Sequence, residues 1–217
     1  RVVVPISHPV ISHAALRRTP SRPALPEGIR FTSPKSVHFR SEDGFNIHGQ
    51  LFLPPAGMRG PHPALVFVHG GPHRQMLPSF NAMGYYSNAY LMNQTLASRG
   101  YVVLSVNYRS GTGYGLAFRN AERIGSTGSS EYRDVHAAAL YLRARSDVSP
   151  GHIGIWGGSW GGYLAGLALA RDSALFAAGA DFHGVHDMTE PDHPGLSPEE
   201  NRKAHETEWR SSPIADI

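Results

Sequence analysis

Short apolar runs that alternate with helical patterns constrain the fold of this chain most strongly. Four such runs lie at residues 64–68, 101–106, 153–156 and 177–180. The segments between them predict helices, over residues 86–99, 131–145 and 160–171. Short continuous apolar runs are typical of strands that are buried on both faces. Because strands that alternate with helices pair in parallel, the pattern predicts an α/β fold with helices on both faces of a mostly parallel sheet.

An antiparallel hairpin is predicted ahead of the first buried strand. Val37 and Phe39 alternate with polar neighbours, and the apolar residues of 45–53 do the same. The sequence Glu42-Asp43-Gly44 between them is typical of a tight turn. Residues 1–34 carry six prolines, whose spacing excludes a long helix or a central strand there. We interpret residues 1–34 as a linker or the remnant of a preceding domain.

Composition and charge exclude several classes of protein. Hydrophobic residues make up 41% of the 217-residue chain and charged residues 17%, a balance that excludes a disordered chain. The formal net charge is +3 without a run of like charges, so we expect no nucleic-acid partner. Cysteine is absent, which excludes disulfides and thiolate ligands. No apolar run approaches the ~20 residues of a membrane-spanning helix, so we expect no membrane partner.

The sequence Gly157-Gly158-Ser159-Trp160-Gly161 matches the pattern G-x-S-x-G between a predicted strand and a predicted helix. That context is typical of a nucleophile elbow, in which a strained turn projects the serine hydroxyl above the sheet. The helix that starts there favours a developing negative charge through its dipole. We therefore predict Ser159 as a nucleophile. A glycine-rich turn with an ordinary capping serine is the simpler alternative.

A second motif, His69-Gly70-Gly71-Pro72, directly follows the first buried strand. Acyl transfer needs two N–H donors aimed at the oxyanion of the tetrahedral intermediate. In a fold with a nucleophile elbow, one donor is the backbone of the residue after the serine, here Trp160. The other comes from the loop after this early strand, where Gly70 or Gly71 can present an N–H without a side chain in the way.

These two motifs, together with the glycine-rich segment at residues 107–115, resemble the catalytic domain of the prolyl oligopeptidase family. The dipeptidyl-peptidase and acylaminoacyl-peptidase branch is the most similar, and the resemblance covers residues 35–217. It implies an α/β-hydrolase fold, a serine peptidase activity on short peptides and no cofactor. It also implies that residues 1–34 are the end of a preceding β-propeller-like domain.

The resemblance further implies roles for individual residues. Ser159 is the expected nucleophile, with backbone N–H groups of Trp160 and of Gly70 or Gly71 in the oxyanion hole. The segment from Phe182 to Met188 corresponds to the primary specificity pocket, where Val185 and Met188 would provide an apolar lining. Some relatives place a tyrosine hydroxyl at the position of His69, so backbone donation is the expectation here.

A serine nucleophile needs a general base oriented by an acid, and the order in this fold is Ser, then Asp or Glu, then His. The resemblance places that acid and that histidine after Ile217. We accordingly expect residues 35–217 to form a partial catalytic domain that lacks the last strands, with an unpaired edge to its sheet.

Nearby residues offer alternatives. Asp181 or Asp187 could replace the acid and His183 or His186 the base, although a polar loop that lines the substrate pocket is the simpler interpretation. The spacing of His183, His186 and Asp187 also resembles a metal site, but no predicted helix aligns these residues, so we expect no metal here. An esterase and a non-catalytic binding module remain alternative functions, because these motifs do not separate ester from amide substrates.

Overall fold

The computed structural model describes residues 30–217. The predicted linker over residues 1–34 therefore lies almost entirely outside the described residues and stays a prediction. The described chain contains six strands: β1 Lys35–Arg40, β2 Asn46–Phe52, β3 His62–Val68, β4 Val102–Asn107, β5 Val148–Gly158 and β6 Ala178–Phe182. Its helices are α1 Gly84–Ser98, α2 Leu116–Arg119, α3 Ser130–Arg143, α4 Trp160–Arg171 and α5 Pro198–Arg210, with 3-10 turns at Gly125–Thr127 and Pro213–Asp216.

All six strands join one sheet in the order β1-β2-β4-β3-β5-β6. The predicted hairpin is confirmed: β1 pairs antiparallel with β2, with Val37 opposite Gly49, and β2 runs antiparallel to β4. The remaining neighbours, β4–β3, β3–β5 and β5–β6, are parallel. This is the predicted α/β-hydrolase type of sheet, and within the described residues β6 forms its outer edge.

Helices cover both faces of the sheet, as the alternation predicted. On one face α1 packs through Tyr86, Ala89 and Tyr90 against Phe52 and Phe67. On the other face α3 and α4 pack against the inner side chains of β3, β4 and β5 and enclose the larger core. None of the helices within residues 30–217 has the length and apolar character needed to cross a membrane.

The N-terminus of α3 differs from the one that the sequence pattern predicts. Because serine suits an N-cap, the sequence predicts Ser130 as the cap of the helix over residues 131–145. The cap of α3 is instead Ser129, which adopts a left-handed backbone conformation with φ 54°. Ser130 is the first residue of the helix, and its hydroxyl donates a hydrogen bond to the carbonyl oxygen of Glu122. The pattern missed this because both neighbouring serines suit a cap. Residues 198–209 carry a weak helical pattern, which predicts a further helix. This helix is confirmed as α5, which begins with a capping box formed by Ser197 and Glu200.

A buried arginine ties the hairpin to the parallel part of the sheet. Arg109 lies two residues after the end of β4, and only 2% of its side chain is exposed. Its guanidinium bonds Asp134 of α3 at 2.6 Å and Asp43 of the hairpin turn at 2.5 Å, and its backbone N–H also donates to Asp134. Hydrogen bonds from Arg109 hold the pKa of Asp43 well below its usual range. The network therefore links the end of β4, α3 and the β1–β2 turn. Its charges on Arg109 and Asp134 are buried, and the charge on Asp43 is partly exposed.

Removing the guanidinium should be costly because it leaves the fully buried carboxylate of Asp134 without its partner. We expect Arg109→Met to lower the free energy of unfolding by about 3–5 kcal/mol, measured by urea unfolding. Arg133 is the matched control, since it also contacts Asp43 but is 41% exposed. Arg133→Met should change the free energy of unfolding by less than about 1 kcal/mol. Equal effects of the two substitutions would contradict this account.

Candidate active site

Ser159 occupies a strained turn between β5 and α4. Its backbone has φ 57° and ψ −120°, a combination rarely adopted by a residue with a side chain. Its N–H donates to the carbonyl oxygen of Phe182 at 2.9 Å, and its own carbonyl accepts from the N–H of Tyr163. The side chain is exposed and makes no capping hydrogen bond to the helix. The hydroxyl is therefore free to meet a ligand at the N-terminus of a twelve-residue helix.

The turn requires an unusually close approach of backbones. A methyl group at Gly161 would overlap the carbonyl oxygen of Val68, the last residue of β3. A methyl group at Gly157 would lie 2.5 Å from the same oxygen. Because β3 is held between β4 and β5, it cannot move aside. The glycines on both sides of Ser159 thus let α4 start directly against the end of β3.

The same approach brings the loop after β3 next to the serine. A Cβ on Gly70 would lie 3.0 Å from the Cβ of Ser159 and 2.5 Å from the carbonyl oxygen of Gly158. Gly71, the next residue, is exposed and has φ 58°. The two motifs that lie 89 positions apart in sequence are neighbours in space, at the carboxyl ends of adjacent parallel strands.

His69 is fully buried rather than directed at solvent. Its ring stacks on Tyr108 with 4.4 Å between centroids, and the Tyr108 hydroxyl donates to the His69 carbonyl at 2.7 Å. Burial, with a smaller contribution from the charge of Arg74, lowers the pKa of His69 to about 4. The imidazole is therefore neutral at ordinary pH, and its environment is that of a core residue that supports the loop.

Aromatic side chains that the sequence pattern did not single out surround the elbow. The Tyr86 hydroxyl lies close to Gly70, and that of Tyr85 lies close to Gly158. Tyr85 also borders a depression of about 250 Å³ with an apolar lining that includes Trp156, Phe182 and His183. Both tyrosines belong to the first turn of α1. Aromatic residues at a helix start carry no signal for a site, so only the packing of α1 could reveal them.

The structure separates the two residues expected to line a specificity pocket. Met188 is only 9% exposed and belongs to the larger core, and its backbone N–H donates to the Ser212 hydroxyl at 2.8 Å. Val185 is 43% exposed. The two side chains therefore lie in different environments, one in the core and one on the surface.

The polar loop after β6 contains an acid–imidazole pair. Asp181 Oδ2 lies 2.5 Å from Nε2 of His186, and Asp181 Oδ1 accepts from the N–H of Gly184. Asp187 instead bonds Thr189, and His183 packs near Tyr85 in a left-handed backbone conformation. Of the residues considered as substitutes for an acid and a base, only Asp181 and His186 are brought together.

A buried carboxylate lies below the elbow. Glu131 of α3 is fully buried, and its Oε2 accepts from the N–H of Gly125 at 2.9 Å. The side chains of Ser110 and Trp160 lie beside this carboxylate, and both favour its charged form. Burial raises the pKa of Glu131. This carboxyl group supports the turn at Gly125–Thr127 and is removed from solvent.

Similarity to known proteins shows which family this chain belongs to. A model of the prolyl oligopeptidase family matches residues 87–211, more than half of the chain. This chain belongs to the prolyl oligopeptidase family. The matched part contains most of α1, the loop after β4, the elbow and α5, whereas the loop with Gly70 and Gly71 lies before it.

Individual members of the family are similar over most of this chain. The uncharacterized peptidase YuxL of Bacillus subtilis is 32% identical over 71% of this chain and 24% of its own length. Dipeptidyl aminopeptidase BIII of Pseudoxanthomonas mexicana is 34% identical over 77% of this chain and 24% of its own length. An acylaminoacyl peptidase structure from Pyrococcus horikoshii shares 29% identity, with a TM-score of 0.60 over 73% of this chain and 24% of that one. The chain thus spans about a quarter of the length of these prolyl oligopeptidase relatives.

Gly161 tests the close approach on which this prolyl oligopeptidase elbow depends. We expect Gly161→Ala to lower the free energy of unfolding by about 1–3 kcal/mol or more, because the added methyl group overlaps a carbonyl that cannot retreat. Gly84, the first residue of α1, is the control: a Cβ there meets no atom within 4 Å. Gly84→Ala should leave stability unchanged or raise it by up to about 1 kcal/mol. Urea unfolding of both variants makes the comparison, and an unaffected Gly161→Ala variant would rule out the tight contact.

His69 makes stability depend on pH in a defined window. The folded chain keeps this imidazole neutral down to a pKa of about 4, whereas the unfolded chain takes up a proton near the ordinary value of 6.5. Because the unfolded state binds more protons in this window, the free energy of unfolding falls as the pH drops from 6.5 to 4, by up to about 1.4 kcal/mol per pH unit. His69→Phe, which keeps a ring on Tyr108, should lose this component. Urea unfolding at several pH values between 7 and 4 measures it, and parallel curves for the two proteins would refute it.

Proposed function

We propose that this chain carries the nucleophile and the oxyanion hole of a serine peptidase that acts on short peptides. The single observation that supports this most strongly is the contact between Gly70 and Ser159 at the start of α4. This contact places the exposed hydroxyl of Ser159, the N-terminus of α4 and the candidate N–H donors of Trp160 and Gly70 next to one another. Membership in the prolyl oligopeptidase family gives the reaction class.

In the proposed reaction, Ser159 Oγ attacks the carbonyl carbon of a peptide bond and transfers its proton to a general base. The carbonyl oxygen becomes an oxyanion, and the backbone N–H groups of Trp160 and of Gly70 or Gly71 donate to it. The protonated base then gives its proton to the departing amine as the C–N bond breaks, which leaves an acyl-enzyme on Ser159. Attack by water, with the same base, releases the acid product and restores the serine.

We assign the base and its acid to positions after Ile217, as the family resemblance implies. The alternative within the described residues is the Asp181–His186 pair. In a Ser–His–Asp triad the acid bonds Nδ1 of the imidazole and Nε2 faces the serine. Here Asp181 bonds Nε2 of His186 instead, so the nitrogen that would serve Ser159 is already occupied. This arrangement favours a structural role for the pair.

The substrate side chain is proposed to contact the apolar surface beside the elbow. Val185 is exposed and can make that contact directly. Met188 is buried, so we propose that it supports the surface from below without touching the substrate. Tyr85 and Phe182 border the depression next to Gly158 and extend the proposed surface. An apolar substrate residue is the chemistry that such a lining would accept.

The full-length protein provides the test. We expect Ser159→Ala to abolish labelling by a fluorophosphonate probe and to slow the hydrolysis of aminoacyl-naphthylamides at least about a thousandfold, because the nucleophile is lost. Ser149 is a matched control: its Oγ lies 2.8 Å from His152 Nδ1, a serine–histidine contact away from the elbow. Ser149→Ala should keep full labelling and activity. Hydrolysis that survives in Ser159→Ala would overturn the proposal.

His186→Ala in the same assay tests the assignment of the base. If the base follows Ile217, this variant should keep its rate within about tenfold. A loss beyond about a hundredfold, the range expected when a general base is removed, would transfer the role to His186. Rates on nitrophenyl esters measured in parallel distinguish a peptidase from an esterase, since only a peptidase would also cleave the amide substrates efficiently.

A further inference from the structure

A group of metal-ligating side chains lies away from the elbow, between the loop after β6 and the helix α5. Nε2 or Nδ1 atoms of His193 and His205 and a carboxylate oxygen of Glu208 all lie within 4.8 Å of one another. His205 and Glu208 are three positions apart on α5 and so share one face of the helix. His193 reaches the same point from the loop. Among residues 30–217 this is the one cluster of such groups that is close enough to share an ion.

The surrounding hydrogen bonds hold two members of the cluster in place. The backbone N–H of His193 donates to the side-chain oxygen of Asn201 at 2.7 Å. Glu208, with 8% of its side chain exposed, accepts the N–H of Glu190 on one oxygen and lies 2.6 Å from His193 Nε2 through the other. The carboxylate is thus oriented by one backbone group and presents its second oxygen to the two imidazoles. Support of this kind around the ligands is typical of metal sites.

The third member of the cluster, His205, has no part in the hydrogen bond between His193 and Glu208. Nε2 of His205 is shielded from solvent and has no hydrogen-bond partner in the described chain. Its nearest carboxylate, Asp192 Oδ1, is 3.6 Å away, too far for a hydrogen bond. Buried polar atoms without a partner are uncommon and need an explanation. An ion shared by the two imidazoles and Glu208 would supply the missing partner.

We propose that His193, His205 and Glu208 bind a divalent zinc ion. Two imidazoles and one carboxylate are ligands that zinc accepts, at about 2.0–2.2 Å each in a tetrahedral arrangement. Ligand atoms around such an ion lie roughly 3.5 Å apart, so His193 and Glu208 need to separate by about 1 Å from their hydrogen-bonded distance. The fourth position is open to water or to Asp192, which is 82% exposed and adjacent to His193 in sequence.

The ion would fasten the loop after β6 to α5. That loop begins at the end of the strand next to the elbow, and Met188 within it is already bonded to Ser212 beyond the helix. Zinc at His193 adds a second attachment farther along the same loop. The proposed role is therefore structural and goes beyond the peptidase reaction, because none of its ligands belongs to the proposed catalytic groups.

Zinc titration of the purified, chelator-treated protein tests the site without reference to activity. Isothermal titration calorimetry should show one saturable site, and zinc should raise the melting temperature because it binds the folded state. His205→Gln and Glu208→Gln should each weaken binding at least about a hundredfold. The matched control is His136→Gln, since His136 also lies near a carboxylate, 4.0 Å from Asp172, but outside the cluster. This variant should bind like the unaltered protein.

Two results would overturn the site. One is the absence of saturable zinc binding, or weak binding spread over several of the 13 histidines. The other is a single site whose affinity is unaffected by His205→Gln. Circular dichroism and the urea midpoint without zinc show that each variant is folded. His205→Gln should pass this control because it removes no hydrogen bond made by Nε2.

Discussion

The contact between the first turn of α4 and the end of β3 is the constraint on which the candidate active site depends. Val68 and Gly161 approach so closely that a single methyl group does not fit between them. This contact sets the direction in which α4 leaves the sheet and forces Ser159 into its strained conformation. It also brings Gly70 close to Ser159, so the geometry of the proposed oxyanion hole depends on backbone packing.

Hydrogen bonds connect the loops that follow the parallel strands, at the carboxyl ends of those strands. Tyr108, after β4, donates to the carbonyl of His69, after β3. The side-chain oxygen of Asn107 accepts from the backbone N–H of Met76, and its side-chain nitrogen donates to the carbonyl of Met76. Arg109 then connects this layer to Asp134 and to the hairpin. Each of these loops is thus hydrogen-bonded to its neighbour, while the side chain of Ser159 stays exposed.

Much of the fold could be predicted because the pattern of apolar residues is a local property. The period of the hairpin, the buried runs that became β3 and β4, and the helices α1 and α4 all follow from it. The start of β5 does not follow from this pattern: the strand begins at Val148, five residues before its apolar run, because Val148 pairs with His62 beyond an irregularity in the register. Ser129 caps α3 in a left-handed conformation, and its hydroxyl donates to the carbonyl of Ser211, 82 positions away in sequence. A local pattern does not contain such a contact.

The sequence by itself predicted the candidate nucleophile elbow and the resemblance to the family, because strand, glycine, serine and helix follow one another without a break and this order is typical of such a turn. The tertiary structure alone decided which groups surround that turn. It buried His69, separated Met188 from Val185 and paired Asp181 with His186. It also placed the hydroxyls of Tyr85 and Tyr86 close to Gly158 and Gly70. It also gathered His193, His205 and Glu208. The physical reason is that these contacts depend on how helices and loops pack against the sheet. The pattern of apolar residues within one segment does not specify the distance between that segment and another.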